Sequence, residues 1–261
     1  MISRSSYPGT QAVVRALSLL KAFGDAQPAR RLSDLARATG LHKATARRLL
    51  LALEREGMVS RDAAGGRYRL GPEAIALGAR AARAGDLRGM SRPALEALAA
   101  ATGETATLEV LAAPDVLILD EVPGGSLVGA TADVGTRWPA HTTSTGKAIL
   151  ALLPPEERRA ALPARLPRRT ERTITAPAAF DRELARVRGR GYATAIEELE
   201  HGYVAVGAAI RDRDGRAVAA LSVGGPSRRV SPKRVRALGP EVAAAAARVS
   251  AALGYRAPEA E

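Results

Sequence analysis

The chain has 261 residues, with 39 Lys and Arg against 27 Asp and Glu, a formal net charge of +12, and no cysteine. Without cysteine there is no disulfide framework and no thiolate metal site, and no uncharged apolar run approaches the roughly 18 residues of a membrane span. "MISRSSYPGT" has no apolar stretch of the kind a secretory leader carries, so the expectation is a cytoplasmic protein with no membrane partner.

Residues 1–9 read as a disordered tail. "TQAVVRALSLLKAF" places Val13, Leu17 and Leu20 at helical spacing behind Thr10, a plausible cap. "LSDLARATGLHKATARRLL", residues 32–50, then sets Gly40 inside an otherwise helical pattern. A mid-helix glycine costs about 1 kcal/mol relative to alanine, so the better reading is a helix ended at Gly40 in a left-handed turn. Ser33 is expected to cap this helix, and Leu32, Leu35 and Ala36 to form its apolar face. A second helix begins near His42, with Ala46, Leu49, Leu50 and Leu53 inward and Lys43, Ala44, Thr45, Arg47 and Arg48 outward. Two short helices and a tight turn form a helix-turn-helix, whose second helix presents that end to the DNA major groove. A helical hairpin with a solvated basic face fits these residues alone.

"MVSRDAAGGRYRLG", residues 58–71, reads as strand, Gly65-Gly66 turn, strand, and three helices with a basic hairpin make a winged helix. Arg61, Arg67 and Arg69 on the wing are expected to meet phosphates or reach the minor groove. Charge placement favours DNA more than the total does. Only four basic residues are lysine, an arginine bias that codon usage explains as readily as function. Residues 1–85, however, hold 15 basic and 6 acidic residues, +9, and the remaining 176 hold 24 and 21, +3.

Residues 72–90 read as a linker helix opening at Pro72, and a helix from about Pro93 to Thr102 begins the second domain. "ETATLEVL" and "DVLILDEV" follow as strands, with "LVGAT" as a third candidate. A loop over 132–144 leads to the helix "TGKAILALL", stopped by Pro154-Pro155, and a further helix lies around 177–189. "YVAVGAAIRD" and "GRAVAALSVGGP" form a hairpin through "DRDG", and a last helix spans about 232–253. The pattern is α+β, an antiparallel sheet with helices packed against it.

In this order and spacing, "AVVRALSLLKAF", "LSDLARATGLHKATARRLLLALEREGMV", "YRLGP", "HTTSTGKAILA" and "GAAIRDRDGRAVAALSVGGP" resemble the isocitrate lyase regulator family of bacterial transcription factors. The resemblance covers about residues 10–254. It implies a winged helix-turn-helix (10–71), a linker helix (72–90), a GAF-like effector-binding domain (91–254) and a tail (255–261). It also implies homodimers or tetramers on double-stranded operator DNA, with repression the expected sense of regulation. DNA-contacting positions fall on Ser33, Lys43, Ala44, Thr45, Arg47, Arg48, Arg67 and Arg69. The family usually has serine where this chain has Ala44, so the hydroxyl that would make a phosphate or base contact is absent there.

Enzymatic motifs fare poorly. "TTSTGKA" is not a phosphate-binding loop, because its first glycine would fall at His141 and Ala148 stands where a magnesium-holding hydroxyl belongs. "GRGYAT" is a fragment of a dinucleotide fingerprint preceded by helix rather than strand. A hydrolase built on Ser144, His141 and Asp133, or a sensor that does not bind DNA, stands as the alternative function. His42, His141 and His201 lack ligand spacing and read as capping or surface residues, so no metal or cofactor is expected.

The helix starting near Ser144 offers unpaired N–H groups and a positive dipole end. Ser144 and Thr145 add hydroxyls there, and the resemblance makes this turn part of the effector pocket, with Ala130, Tyr203, Ala205, Ser222 and Gly224 on lining positions. The expected effector is a small organic acid or aromatic metabolite, a carboxylate by preference, held by the N–H groups of residues 145–147 near Lys147.

Overall fold

The computed structural model describes residues 10–23, 28–62, 66–83, 87–125 and 133–256. They divide into two compact units, residues 1–85 and 86–261. The first contains α1 (Gln11–Lys21), β1 (Ala29–Arg31), α2 (Leu32–Thr39), α3 (Lys43–Arg55), β2 (Val59–Arg61), β3 (Arg67–Leu70) and α4 (Pro72–Arg83). Its antiparallel sheet runs β1-β3-β2, so the expected hairpin gains a third strand.

Gly40 ends α2 as expected, at φ +66°. The Leu41 N–H donates to the Ala36 carbonyl at 3.0 Å and the Gly40 N–H to Arg37 at 3.3 Å, a doubly bonded C-terminal cap. Leu41 then packs against the core of Leu19, Leu35, Ala36, Ala46, Leu50, Val59 and Tyr68. Two details differ from expectation. Ser33 is not the cap: Arg31, extended as the end of β1, holds that position, and Ser33 is an exposed residue of the first turn. In α1 the buried residue is Leu19, with Leu20 half-buried, whereas Val13 and Leu17 are exposed. So apolar a helix carries two stripes at three-four spacing, and α2 and α3 cover only one.

The second unit contains α5 (Leu87–Thr102), β4 (Thr105–Ala112), β5 (Asp115–Val122), β6 (Arg137–Pro139), a 3-10 turn (Ala140–Thr142) and α6 (Ser144–Leu152). It continues with α7 (Pro155–Ala161), α8 (Pro177–Arg190), β7 (Ala193–Ile196), β8 (Tyr203–Arg211), β9 (Ala217–Pro226) and α9 (Pro232–Ala252). The six strands pair antiparallel in the order β6-β5-β4-β9-β8-β7. Pro93 lies inside α5 rather than opening it; Arg88 and Arg92 on the same helix both reach the buried Asp120 carboxylate, at 3.2 and 3.1 Å. The stretch 132–144, expected as loop, includes β6 and the 3-10 turn, and Pro155 starts α7 instead of only stopping α6. The candidate strand "LVGAT" lies outside the described residues.

The sheet has two unlike faces. Leu108, Val204, Val206, Ile210, Leu221 and Val223 pack under α5 and α9. On the other face the central strands β8 and β9 present small or polar residues, with Val116, Leu111 and Trp138 toward the β6 edge, and α6 and α8 lie on that side.

Candidate DNA and effector sites

Helix α3 buries Ala46 and Leu50 and leaves Lys43, Ala44, Arg47 and Arg48 exposed, with Thr45 half-buried. Among the described residues, Lys43, Arg47 and Arg48 enter no ion pair. On β3, Tyr68 points into the core, so Arg67 and Arg69 project together from the opposite side. The Arg69 Nε donates to Ser60 Oγ at 3.1 Å. Arg61 does not belong with them. Its guanidinium pairs with Glu54 at 3.0 Å and lies over the Tyr68 ring, 5.0 Å from the centroid, which commits it to the fold.

In the second unit, the registers align Glu121, Thr107, Ser222, Gly207 and Ala193 in one row across β5, β4, β9, β8 and β7. Thr105, Gly224, Ala205 and Ala195 form the next row. Gly207 admits the first turn of α6: a Cβ there would stand 2.9 Å from Ser144 Oγ and 3.0 Å from the Thr145 nitrogen. Thus Ser144, Thr145, Ala205, Ser222 and Gly224 share one region, as expected. Ala130 lies outside the described residues. The room left by Gly224 is taken by Tyr203, whose hydroxyl sits where a Cβ would be. Burial raises the pKa of that hydroxyl above the ordinary tyrosine value.

The chemistry of the first turn of α6 departs from expectation. The helix starts at Ser144 and is capped by Thr143, whose hydroxyl accepts the Gly146 N–H at 3.0 Å. The Lys147 N–H donates to the Thr143 carbonyl at 3.1 Å. Two of the three expected anion donors are therefore already used. Lys147 supplies no free charge either, because its ammonium is buried against the Glu198 carboxylate at 2.6 Å. Burial raises the Glu198 pKa against the opposing pull of Lys147.

The residue missed in sequence is Glu109. It is buried in the same region, accepting from Thr145 Oγ1 at 2.5 Å and from Thr107 Oγ1 at 2.8 Å. Thr107 also bonds Ser222 Oγ at 2.8 Å. Burial raises the Glu109 pKa, and these hydroxyl bonds oppose the rise. Glu121, one strand away, has its pKa raised to about 7 by burial, with Asp133 and Glu109 adding repulsion. The signal existed in "TATLEVL", where Thr105, Thr107 and Glu109 alternate with apolar residues and so share one face.

The hydrolase alternative finds no support here. His141 is buried with Nε2 2.9 Å from the Pro167 carbonyl oxygen, burial lowers its pKa, and it makes no hydrogen bond to Ser144. His42 and His201 are exposed. Among the described residues no group of His, Cys, Asp or Glu is placed to hold a metal ion, and no helix is long and apolar enough to cross a membrane.

A winged helix-turn-helix with an unpaired basic recognition helix, joined in one chain to a separate α+β unit, defines a DNA-binding transcriptional regulator with an effector domain. Residues 12–63 match the family model for the IclR helix-turn-helix domain, and residues 79–251 that for the bacterial transcriptional regulator IclR C-terminal domain. The chain belongs to the isocitrate lyase regulator family, which consists of transcriptional regulators rather than enzymes. It is 36% identical over 228 residues to the glycerol operon regulatory protein of Streptomyces griseus, covering 85% of this chain and 87% of that one. It is 32% identical over 247 residues to the acetate operon repressor of Salmonella typhimurium, covering 94% and 90%. An IclR homologue from Microbacterium hydrocarbonoxydans, crystallised with 4-hydroxybenzoate, superposes with a TM-score of 0.81 at 29% identity, covering 93% of this chain and 98% of that one.

Proposed function

We propose that the protein is a cytoplasmic repressor that binds its operator as a homodimer or a pair of dimers and is released by a small organic effector. The observation that carries the DNA half is α3: Lys43, Arg47 and Arg48 are exposed and unpaired on the side opposite buried Ala46 and Leu50. Arg67 and Arg69 serve as phosphate contacts on the wing, and Ser33 and Thr45 are the neighbouring hydroxyl donors. Ala44 offers only a methyl group to a base edge. Self-association is supported by apolar residues left exposed on the first unit, Ile75 at 72% and Val13 at 60%. Duplicated winged helices bind a two-fold operator with a gain no single copy has.

The effector binds on the small-residue face of the second unit, bounded by Ser144, Thr145, Ala205, Ser222 and Gly224, with Tyr203 as a wall. It acts on transcription by favouring one arrangement of the paired DNA-binding units over another, since equal affinity for both shifts nothing. The domain limits are residues 10–71 for DNA binding, 72–90 for the connection and 91–254 for the effector. A gel shift of the purified protein on the DNA upstream of its own gene tests the reading, with light scattering for its mass. A salt-sensitive, sequence-selective complex is expected. Binding indistinguishable from that to random DNA, or a protein monomeric at micromolar concentration, refutes it.

A further inference from the structure

We infer that Glu109 makes the effector site select neutral, hydroxyl-bearing molecules over carboxylates. The inference rests on the effector site proposed above and names the chemistry it takes. Three observations carry it. First, Glu109 is buried on β4 in the row next to Thr107 and Ser222, bonded to Thr107 and to Thr145 in the first turn of α6. Second, the cation and two of the three backbone donors expected to hold an anion are already engaged. The Thr107 and Thr145 hydroxyls donate into Glu109, the Gly146 N–H donates to Thr143, and the Lys147 ammonium is paired with Glu198. Third, the carboxyl oxygens retain acceptor capacity. Each oxygen of a carboxylate accommodates about two hydrogen bonds. Each Glu109 oxygen receives one, and Glu121 Oε2 is buried with no partner among the described residues.

Among the described residues the site holds two buried carboxyl groups and no unpaired cation, which is complementary to a ligand that donates hydrogen bonds. Hydroxyl groups do so without bringing charge. A carboxylate placed there meets either the negative charge of Glu109 or, if Glu109 holds a proton, a desolvated pocket with one shared proton and no cation. An ammonium ligand needs an ionised counter-charge, and burial disfavours the ionised form of both Glu109 and Glu121. Neutral hydroxyls are suited to either protonation state. With the Thr107 proton given to Glu109, the Ser222 hydroxyl donates to Thr107 and keeps acceptor capacity toward a ligand, while the Tyr203 hydroxyl acts as donor or acceptor.

The test uses the full-length protein and two matched sets of probes in calorimetry. One set is 4-hydroxybenzyl alcohol, 4-hydroxybenzoate and 4-hydroxybenzylamine; the other is glycerol, glycerate and 2-amino-1,3-propanediol. The alcohol of at least one set is expected to bind about tenfold more tightly than its acid and its amine, a difference near 1.4 kcal/mol. Glu109→Gln keeps the shape and removes the charge, and should narrow the alcohol-to-acid ratio to about threefold or less by tightening the acid. Should that variant not fold, Glu121→Gln at the end of β5 is expected to narrow the ratio in the same direction. Acids or amines binding as tightly as the alcohols, a ratio unmoved by the folded variant, or no binding of either alcohol at millimolar concentration overturns the inference. Ser222→Leu separates the two levels. Probe binding undiminished in that variant removes the site itself, whereas binding lost there with acids preferred leaves the site and removes only the role of Glu109.

Discussion

Lys147→Met isolates the most buried ion pair in the effector unit. The ammonium is 1% exposed and the Glu198 side chain 9%, with 2.6 Å between Nζ and Oε1. Among the described residues Glu198 Oε2 has no hydrogen-bond partner, so removing Lys147 leaves a buried carboxylate with no counter-charge and little beyond the Ile196 backbone to offset its desolvation. Breaking such a pair costs about 3–5 kcal/mol, and for a unit of this size that lowers Tm by about 10 °C. The loss depends on pH with a definite sign. Burial already raises the Glu198 pKa, and losing Lys147 raises it further, so the folded variant holds a proton that the unfolded chain has released. Its stability therefore falls as pH rises above the unfolded carboxylate range near 4.3, and the deficit is smaller at pH 5 than at pH 8. The double variant Lys147→Met/Glu198→Met removes both charges and should recover more than half of the loss. Thermal unfolding by circular dichroism at the two pH values measures all three proteins. A single-variant loss below about 1 kcal/mol, or a double variant as unstable as Lys147→Met, refutes the reasoning.

Arg47→Ala/Arg48→Ala should abolish selective operator binding while leaving the circular dichroism spectrum intact, each base-reading arginine contributing about 1–3 kcal/mol. Arg67→Ala should reduce the salt slope of binding by about one, whereas Arg61→Ala, which loses the Glu54 pair and the Tyr68 ring, should lower stability more than DNA affinity; gel shifts across a salt series check both. Gly40→Ala forces a left-handed residue with a Cβ and should destabilise the first unit by about 1–2 kcal/mol in a urea melt. Residues 1–85 alone should keep weak, salt-sensitive DNA affinity and residues 86–261 should stay folded, which hydrogen exchange on each fragment will show.

The first unit was legible because its signals are local. A glycine at a turn, a three-four apolar stripe and a Gly-containing hairpin each specify structure within a dozen residues. The errors there arose where two local answers competed, as with Ser33 against the extended Arg31, or Val13 against Leu19. Arg61 reads like the other wing arginines in sequence, and only the fold brings Glu54 beside it. In the second unit strand order and burial come from pairings more than a hundred residues apart, such as Thr107 with Ser222. The sequence marks Lys147 as a cation in a helix's first turn; that it is neutralised depends on Glu198, 51 residues away. Glu109 was overlooked because a glutamate in a strand is expected to face water. Both faces of this sheet are covered, so it faces α6 instead.

The difference between those two faces has a measurable consequence along β9. Leu221 and Ser222 are adjacent and both buried, yet a strand turns them to opposite sides. Leu221 lies in the aliphatic layer under α5 and α9, where deleting its side chain opens a cavity that rigid neighbours cannot fill. Ser222 lies in the row of Thr107, Glu121 and Gly207, where it contributes one hydroxyl to a network that Thr107 otherwise closes onto Glu109. On the α6 side the large apolar groups come mainly from the helices, Ile149, Leu150, Phe180 and Leu184 among them, so the central strands β8 and β9 carry small and polar residues there. Leu221→Ala should lower stability by about 2–5 kcal/mol and leave the ranking of the alcohol and acid probes unchanged. Ser222→Ala should cost about 1 kcal/mol and change probe affinity severalfold. Denaturant melts and calorimetry on the two variants decide it: equal stability losses, or a Ser222→Ala protein that binds every probe like the parent, would show that the faces do not divide the work in this way.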